Sequence, residues 1–75
     1  MQTNIIELKK AMLECGIPTK KEFARRCNLS RATVTNVLNG KQQPSTEVMY
    51  KMVETLRITP ERAGEIFFGT DLRAT

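Results

Sequence analysis

Four side chains in the stretch FARRCNLSRATVTNVLNG, residues 23–40, have types suited to contacts with DNA bases. Arg31 can donate two parallel hydrogen bonds to guanine, and Asn36 can pair in the same bidentate way with adenine. Ala32 and Thr35 can touch thymine methyl groups, and their small size would let a helix sit deep in the major groove. The same residue types would also suit a plain solvated helix face. The elements that position them decide between these two interpretations.

Two short helices joined by a tight turn would position these side chains. Thr19, in a Thr-x-x-Glu capping box, predicts a helix over about residues 20–27. Ser30 is a typical cap for a second helix, which would run to about Asn39. The short break between them begins at Asn28, a residue that tolerates the positive φ such a turn needs. This arrangement is typical of a helix-turn-helix.

The apolar residues of this unit determine which side chains remain outside it. Val34, Val37 and Leu38 fall on one face of the second helix, which we expect to face inward. Ala24 lies where the two helices would cross, and Leu29 in the turn can cover their shared core. The outer side then keeps Arg31, Ala32, Thr35 and Asn36, with Thr33 toward its edge.

Three further helices complete the predicted domain. The first begins after Asn4 and stops at Gly16, a good helix terminator. Another begins after the cap Ser45, and the last begins with Pro60 in its first turn and ends at Gly69. No segment shows the alternation typical of a strand. The sequence therefore predicts an all-α, compact five-helix fold with the helix-turn-helix in helices 2 and 3.

The chain length favours one small domain. We expect a single domain over residues 1–75, with its core at about 4–69 and a frayed tail at 70–75. A chain of this size buries only about 60% of its unfolded surface. Cys15 and Cys27 could form one disulfide, but nothing indicates secretion, so two reduced thiols packed as small hydrophobic residues are favoured.

Composition excludes several classes of function. The sequence contains no histidine, which excludes a zinc site of the Cys/His kind and histidine acid–base catalysis. It also lacks a Gly-rich phosphate loop. We therefore expect no enzyme, no metal and no cofactor. No apolar run is long enough for a signal peptide or a membrane span, so we expect no membrane association and a cytoplasmic location, in the bacterial cytoplasm or nucleoid.

The positive charge is concentrated in the middle of the chain. The formal net charge is +4, yet residues 20–41 alone carry six basic residues and one acidic residue, a net charge of +5. A localised basic segment favours an anionic partner, and nucleic acid is the commonest. Charged helix faces are often merely solvated, so the charge by itself leaves both interpretations open.

Taken together, these motifs resemble the phage repressor and Cro-type (lambda repressor-like) helix-turn-helix family. The similar pattern is Phe23-Ala24-x-x-Cys27-Asn28-Leu29-Ser30-x-x-x-Val34-x-x-x-Leu38-Asn39-Gly40. The loop Gly40-Lys-Gln-Gln-Pro44-Ser45 is similar to the family's G-x-x-x-P-S/T loop. The segment Leu56-Arg-Ile58-Thr-Pro60-Glu, followed by Ile66-Phe67-Phe68, resembles the usual C-terminal part of the family's domain. The resemblance covers about residues 5–68. This sequence departs from the family's pattern in three places: Lys20 stands where Gln is frequent, Asn28 stands where Gly is frequent, and the connection at Ile17-Pro18-Thr19 is longer.

The resemblance implies a sequence-specific double-stranded DNA-binding transcription regulator of a phage or prokaryotic genetic switch, with helix 3 reading the major groove. The implied base-reading residues are Arg31, Ala32, Thr35 and Asn36. The implied phosphate-binding residues are Lys20, Lys21, Thr33, Asn39, Lys41 and Gln42. At Lys20 the family's Gln offers an amide donor and acceptor, whereas Lys offers only a charged donor.

The resemblance also implies a homodimer on DNA, because a monomer this small reads only about four or five base pairs. The predicted interface is Ile66, Phe67 and Phe68 in helix 5. Two adjacent Phe residues are not expected to face one core, so one would be exposed to a partner or would fold over the core edge. The alternative function is a protein-interaction module, such as an antirepressor or co-repressor that binds a partner repressor protein. The chain would be a compact Cro-like regulator or an excised DNA-binding domain.

Overall fold

The computed structural model describes residues 3–68, which form five α-helices and, within that range, no β-strand. The predicted all-α architecture, with the helix-turn-helix in α2 and α3, is confirmed. The predicted end of the last helix at Gly69 and the predicted frayed tail 70–75 lie outside the described residues. The helices are α1 (Ile5–Glu14), α2 (Lys20–Cys27), α3 (Arg31–Leu38), α4 (Thr46–Leu56) and α5 (Pro60–Phe68).

Side-chain caps explain where the helices begin. At the start of each of the five helices, a side-chain oxygen accepts a hydrogen bond from the backbone N–H three residues further on, at 3.1–3.2 Å. A cap of this kind contributes about 1 kcal/mol to helix stability. The starts of the helices are therefore encoded locally. The capping residues are Asn4, Thr19, Ser30, Ser45 and Thr59.

Every helix contributes a fully buried apolar side chain to one core. No side chain in the set has exposed surface, and the set contains Leu8, Phe23, Val34, Met52 and Ile66. Among the described residues no polar or charged side chain is buried, and no buried side-chain nitrogen or oxygen lacks a hydrogen-bond partner. The core is therefore held by apolar burial, at about 25 cal/mol per Å².

Both cysteines are free thiols that pack with the core. Cys27 is buried, and burial raises the pKa of its thiol, partly opposed by a hydrogen bond with Thr55. Cys15 is half-buried, and its Sγ donates a hydrogen bond to the Leu56 carbonyl at 3.0 Å. The two residues act as small hydrophobic side chains, as the sequence favours, and not as a disulfide.

The apolar residues at the end of α5 pack mainly into the core. Ile66 is 0% exposed and Phe67 is 2% exposed, so both belong to the core of their own chain. Phe68 is half-buried and packs against the same core. Of the two arrangements that the sequence leaves open, Phe68 therefore takes the one in which a Phe folds over the core edge, and part of its surface stays exposed. Of the three predicted interface residues, only Phe68 offers surface to a partner.

None of the helices within residues 3–68 has the length and apolar character needed to cross a membrane. In the same part of the chain, no cluster of three or more His, Cys, Asp or Glu side chains could hold a metal ion.

Candidate nucleic-acid interface

A tight turn between α2 and α3 sets the direction in which α3 projects. Asn28 adopts the left-handed conformation, with φ 57° and ψ 44°, as predicted for this position. The N–H of Leu29 then donates to the Ala24 carbonyl at 2.9 Å, which closes the end of α2. Ala24 is only 4% exposed, and its small side chain allows the close approach of the helices. The turn therefore presents one face of α3 outward.

The buried positions of α3 define the outer face. Val34 and Val37 are fully buried and Leu38 nearly so. The exposed first residue of the helix and the positions away from the buried stripe provide four residues, which we call the reading face, consisting of Arg31, Ala32, Thr35 and Asn36. Arg31 and Ala32 are exposed, while Thr35 and Asn36 are half-buried. Helical spacing predicts that Ala32 and Asn36 lie away from Val34, whereas Arg31 is exposed because it begins the helix. The base-reading role of the four residues stays a prediction.

Thr33 lies at the border between the two faces of α3. It is half-buried, and its hydroxyl oxygen accepts a hydrogen bond from the Ser30 hydroxyl at 2.8 Å. Because that bond uses an acceptor site only, the Thr33 hydroxyl proton remains available to an anion. This agrees with the expected edge position and allows a phosphate contact.

Lys20 and Asn39 meet across the helix-turn-helix. The Lys20 Nζ, in the first turn of α2, donates to Asn39 Oδ1 at the end of α3, over 3.2 Å. The last turn of α3 contains no basic residue of its own. The Lys20 ammonium therefore supplies the positive charge that a helix C-terminus favours. Sequence reasoning assigned both residues to phosphate but did not predict that they touch, because nineteen positions separate them along the chain.

The loop after α3 folds back onto the last turn of the helix. Gly40 adopts φ 73°, a conformation that glycine accepts without strain. Its N–H donates to the Val37 carbonyl at 3.1 Å, and the N–H of Lys41 donates to the Asn36 carbonyl at 2.9 Å. These two bonds form a Schellman motif. They bring Gln42 beside Asn36, whose Nδ2 lies 3.5 Å from Gln42 Oε1.

Two arginines of α2 are committed to a carboxylate. Arg25 and Arg26 both hydrogen-bond to Glu22, with Nη2–Oε2 and Nε–Oε2 distances of 2.5 and 2.8 Å. The bond from Arg25 and then that from Arg26 lower the pKa of Glu22 to about 2. Positions three and four residues apart are neighbours on a helix, so this spacing could have predicted the pairing. Both arginines stay exposed to solvent, away from the predicted contacts.

Basic groups stand at both ends of α3. Arg31 begins the helix, Lys20 and Lys41 contact its C-terminal end, and Lys21 follows Lys20 in the first turn of α2. Within the described part of the chain, none of these four basic groups forms an ion pair with a carboxylate. Their charge is therefore available to a polyanion beside the reading face.

An apolar groove runs between α4 and α5. Its walls include Met49, Val53, Ala63 and Phe68, and Tyr50 at its border is 70% exposed. We call it the α4–α5 groove. Met49 and Val53 are only half-buried. The predicted interface therefore missed the α4 wall.

The geometry agrees with what comparison with known proteins finds. A family model described as helix-turn-helix matches residues 8–62, which is more than half of the chain. No curated protein and no solved structure gives a significant match. The matched region contains the α2–α3 unit, the reading face and the loop after α3. The chain therefore belongs to the Cro/C1-type helix-turn-helix family of DNA-binding regulators.

Proposed function

We propose that the chain is a sequence-specific regulator of transcription that binds double-stranded DNA with α3 in the major groove. The observation that carries this proposal is the reading face, which stands outside a helix whose other side is fully buried. Arg31 would pair with guanine and Asn36 with adenine, and Ala32 and Thr35 would contact thymine methyl groups.

We assign the groups around the reading face to the DNA backbone. Such contacts fix the register of the protein on the duplex and carry no sequence information directly. Each lysine that neutralises a phosphate should add about −0.9 to the slope of log K against log salt concentration. The three lysines support a steep salt dependence of binding. The proposed backbone contacts are Lys20, Lys21, Thr33, Asn39, Lys41 and Gln42.

We further propose a homodimer, in which two copies of α3 reach half-sites about 34 Å apart. The apolar walls of the α4–α5 groove and the exposed Tyr50 ring support this surface as the contact, with Phe68 at its edge. A dimer of this size, acting on an operator in the bacterial cytoplasm or nucleoid, would suit a phage or prokaryotic genetic switch.

Replacing Arg31 tests the reading face. Binding sites are selected from a pool of randomised duplexes, and affinities are then measured by fluorescence anisotropy. We expect Arg31→Ala to weaken binding to the selected site by about 1–3 kcal/mol and to relax the preference at one base position. Lys9→Ala removes an equal charge from an exposed position on α1 and should leave base preference unchanged. Unchanged affinity and preference in Arg31→Ala would contradict the proposal.

A second candidate function rests on the α4–α5 groove. The groove could hold an apolar element of a partner repressor, in which case the chain would act as an antirepressor or co-repressor. The same selection separates the two functions. A chain that enriches no sequence alone, but forms a stoichiometric complex with a repressor and changes that repressor's DNA affinity, would favour this second function.

A further inference from the structure

We infer that Gln42 determines base specificity by orienting the side-chain amide of Asn36, in addition to any contact with phosphate. This inference rests on the proposed function and deepens it, because it concerns how the reading face discriminates among bases. It makes Gln42 a positioning residue that acts through Asn36.

The loop that carries Gln42 is held on both sides of it. Before Gln42, the Schellman bond from the Lys41 N–H to the Asn36 carbonyl, 2.9 Å long, ties the loop to α3. After Gln42, the Gln43 Oε1 accepts hydrogen bonds from the Thr3 N–H and hydroxyl, at 3.1 and 2.7 Å. Pro44 is buried. The backbone at Gln42 is therefore fixed relative to Asn36, as a positioning residue requires.

The contact between the two amides selects one orientation of Asn36. The terminal torsion of an Asn side chain is broad and roughly two-fold, so rotation by 180° exchanges the oxygen and the NH₂ group. Gln42 Oε1 can only accept a hydrogen bond, and it faces Asn36 Nδ2 at 3.5 Å. The separation exceeds the optimum of about 3.0 Å, so we assign the contact to orientation and not to stability.

The selected orientation leaves the groups that adenine needs. Gln42 engages one of the two Nδ2 hydrogens, so the other hydrogen and Oδ1 of Asn36 remain available. Adenine offers an acceptor, N7, and a donor, the N6 amino group, and Asn pairs with both. With the Gln42 amide oriented as in the structure, the reversed Asn36 amide would turn its oxygen toward Gln42 Oε1, and two acceptors would oppose each other. Gln42 thus favours the bound orientation before DNA arrives.

An orienting contact of Gln42 with Asn36 and a contact of Gln42 with phosphate differ in their effect on base preference. A phosphate contact would change affinity for every sequence by the same factor. An orienting contact would change the ratio of affinities at one base position, the position that Asn36 reads. The ratio between matched and mismatched duplexes at that position is therefore the decisive measurement.

The test uses the full chain and duplexes chosen by the wild-type protein. Gln42→Met has a similar length but no acceptor, and we expect it to reduce the ratio at the Asn36 position by about 3- to 10-fold. Gln42→Glu keeps the acceptor, so we expect it to retain the ratio while binding all duplexes more weakly. Gln42 is exposed, and thermal unfolding followed by circular dichroism verifies that each variant is folded.

Two further variants complete the design. Asn36→Ala should abolish preference at that position, and Gln42→Met should have no further effect on the ratio in the Asn36→Ala background. Lys41→Met, on the same loop, should weaken binding to all duplexes alike and make the salt slope shallower by about 0.9.

The outcomes are distinguishable. The inference is overturned if Gln42→Met lowers affinity equally for all duplexes, or if its effect on the ratio persists without Asn36. It is also overturned if Asn36→Ala leaves every base preference unchanged. A wild-type chain that enriches no sequence at all would overturn the proposed function itself, and the inference with it.

Discussion

At the scale of single residues, Glu22 controls how much of the basic charge of α2 is free. Its carboxylate accepts hydrogen bonds from both Arg25 and Arg26, and the side chains are exposed to solvent. Because solvent screens exposed ion pairs, the pairing contributes little to stability. Its effect on charge is larger, because within residues 20–41 it leaves Arg31, Lys20, Lys21 and Lys41 as the basic residues without an ion pair.

The pH dependence of stability tests this cluster. The folded pKa of Glu22, about 2, lies below its ordinary value of 4.5. The pairing therefore stabilises the fold fully above about pH 4.5 and is lost as the pH falls toward 2. We expect Glu22→Gln to lower the melting temperature slightly at pH 6, and we expect this difference to shrink as the pH falls from about 4.5 to 2. Circular dichroism melts across this range measure the difference.

A control variant isolates the ion pairs from the loss of a carboxylate. Glu54→Gln removes an exposed carboxylate of α4 that forms no ion pair within residues 3–68, and its difference from the wild type should stay small throughout. A melting-temperature difference for Glu22→Gln that persists unchanged at pH 2 would show that the arginine contacts are not its source.

At the scale of helices, two serine caps with the same geometry begin α3 and α4. Ser30 accepts a bond from the Thr33 N–H at 3.1 Å, and Ser45 accepts one from the Val48 N–H at 3.2 Å. The two helices differ in their proposed role, because the reading face lies on α3 and α4 has no part of it. The pair of caps therefore separates the stability of a helix from its proposed role on DNA.

We expect Ser30→Ala and Ser45→Ala each to lower the free energy of unfolding by about 1 kcal/mol, measured by urea denaturation. Only Ser30→Ala should also weaken DNA binding at a temperature where both variants are folded, since fraying of the first turn would release Arg31. Equal loss of DNA affinity in the two variants would argue against α3 as the reading helix.

At the scale of the whole molecule, the reading face and the α4–α5 groove lie on different helices, so one surface can serve DNA while the other serves a second chain. The chain also exposes Ile6 and Leu13 on α1, at 77% and 71%. Exposed apolar residues that line no groove are common on soluble domains, whereas a lined apolar groove is a stronger indication of a partner surface.

This contrast provides a matched test of the proposed dimer. Tyr50→Asp places a charge at the border of the groove, and we expect it to raise the dimer dissociation constant at least about tenfold. Ile6→Asp makes an equivalent change outside the groove and should leave the constant unchanged. Sedimentation equilibrium measures both. Equal effects, or no effect of Tyr50→Asp, would remove the groove as the dimer contact.

Much of the fold follows from short-range features of the chain. The caps bond to an N–H only three residues away, and the inward stripe of α3 repeats every three or four residues. Such features depend on local geometry, so five helices and the outward placement of Ala32 and Asn36 were predictable. Arg57 is an exception, because it ends α4 with φ 54°, a conformation that its residue type does not favour.

The sequence by itself determined the helices, the helix-turn-helix and the candidate reading face. The tertiary structure alone decided the contact of Lys20 with Asn39, the burial of Ile66 and Phe67, and the α4 wall of the groove. The physical reason is that periodicity and capping act within one turn of a helix. Contacts between helices depend on the distances and angles at which those helices cross, and these are set by the packing of the whole core.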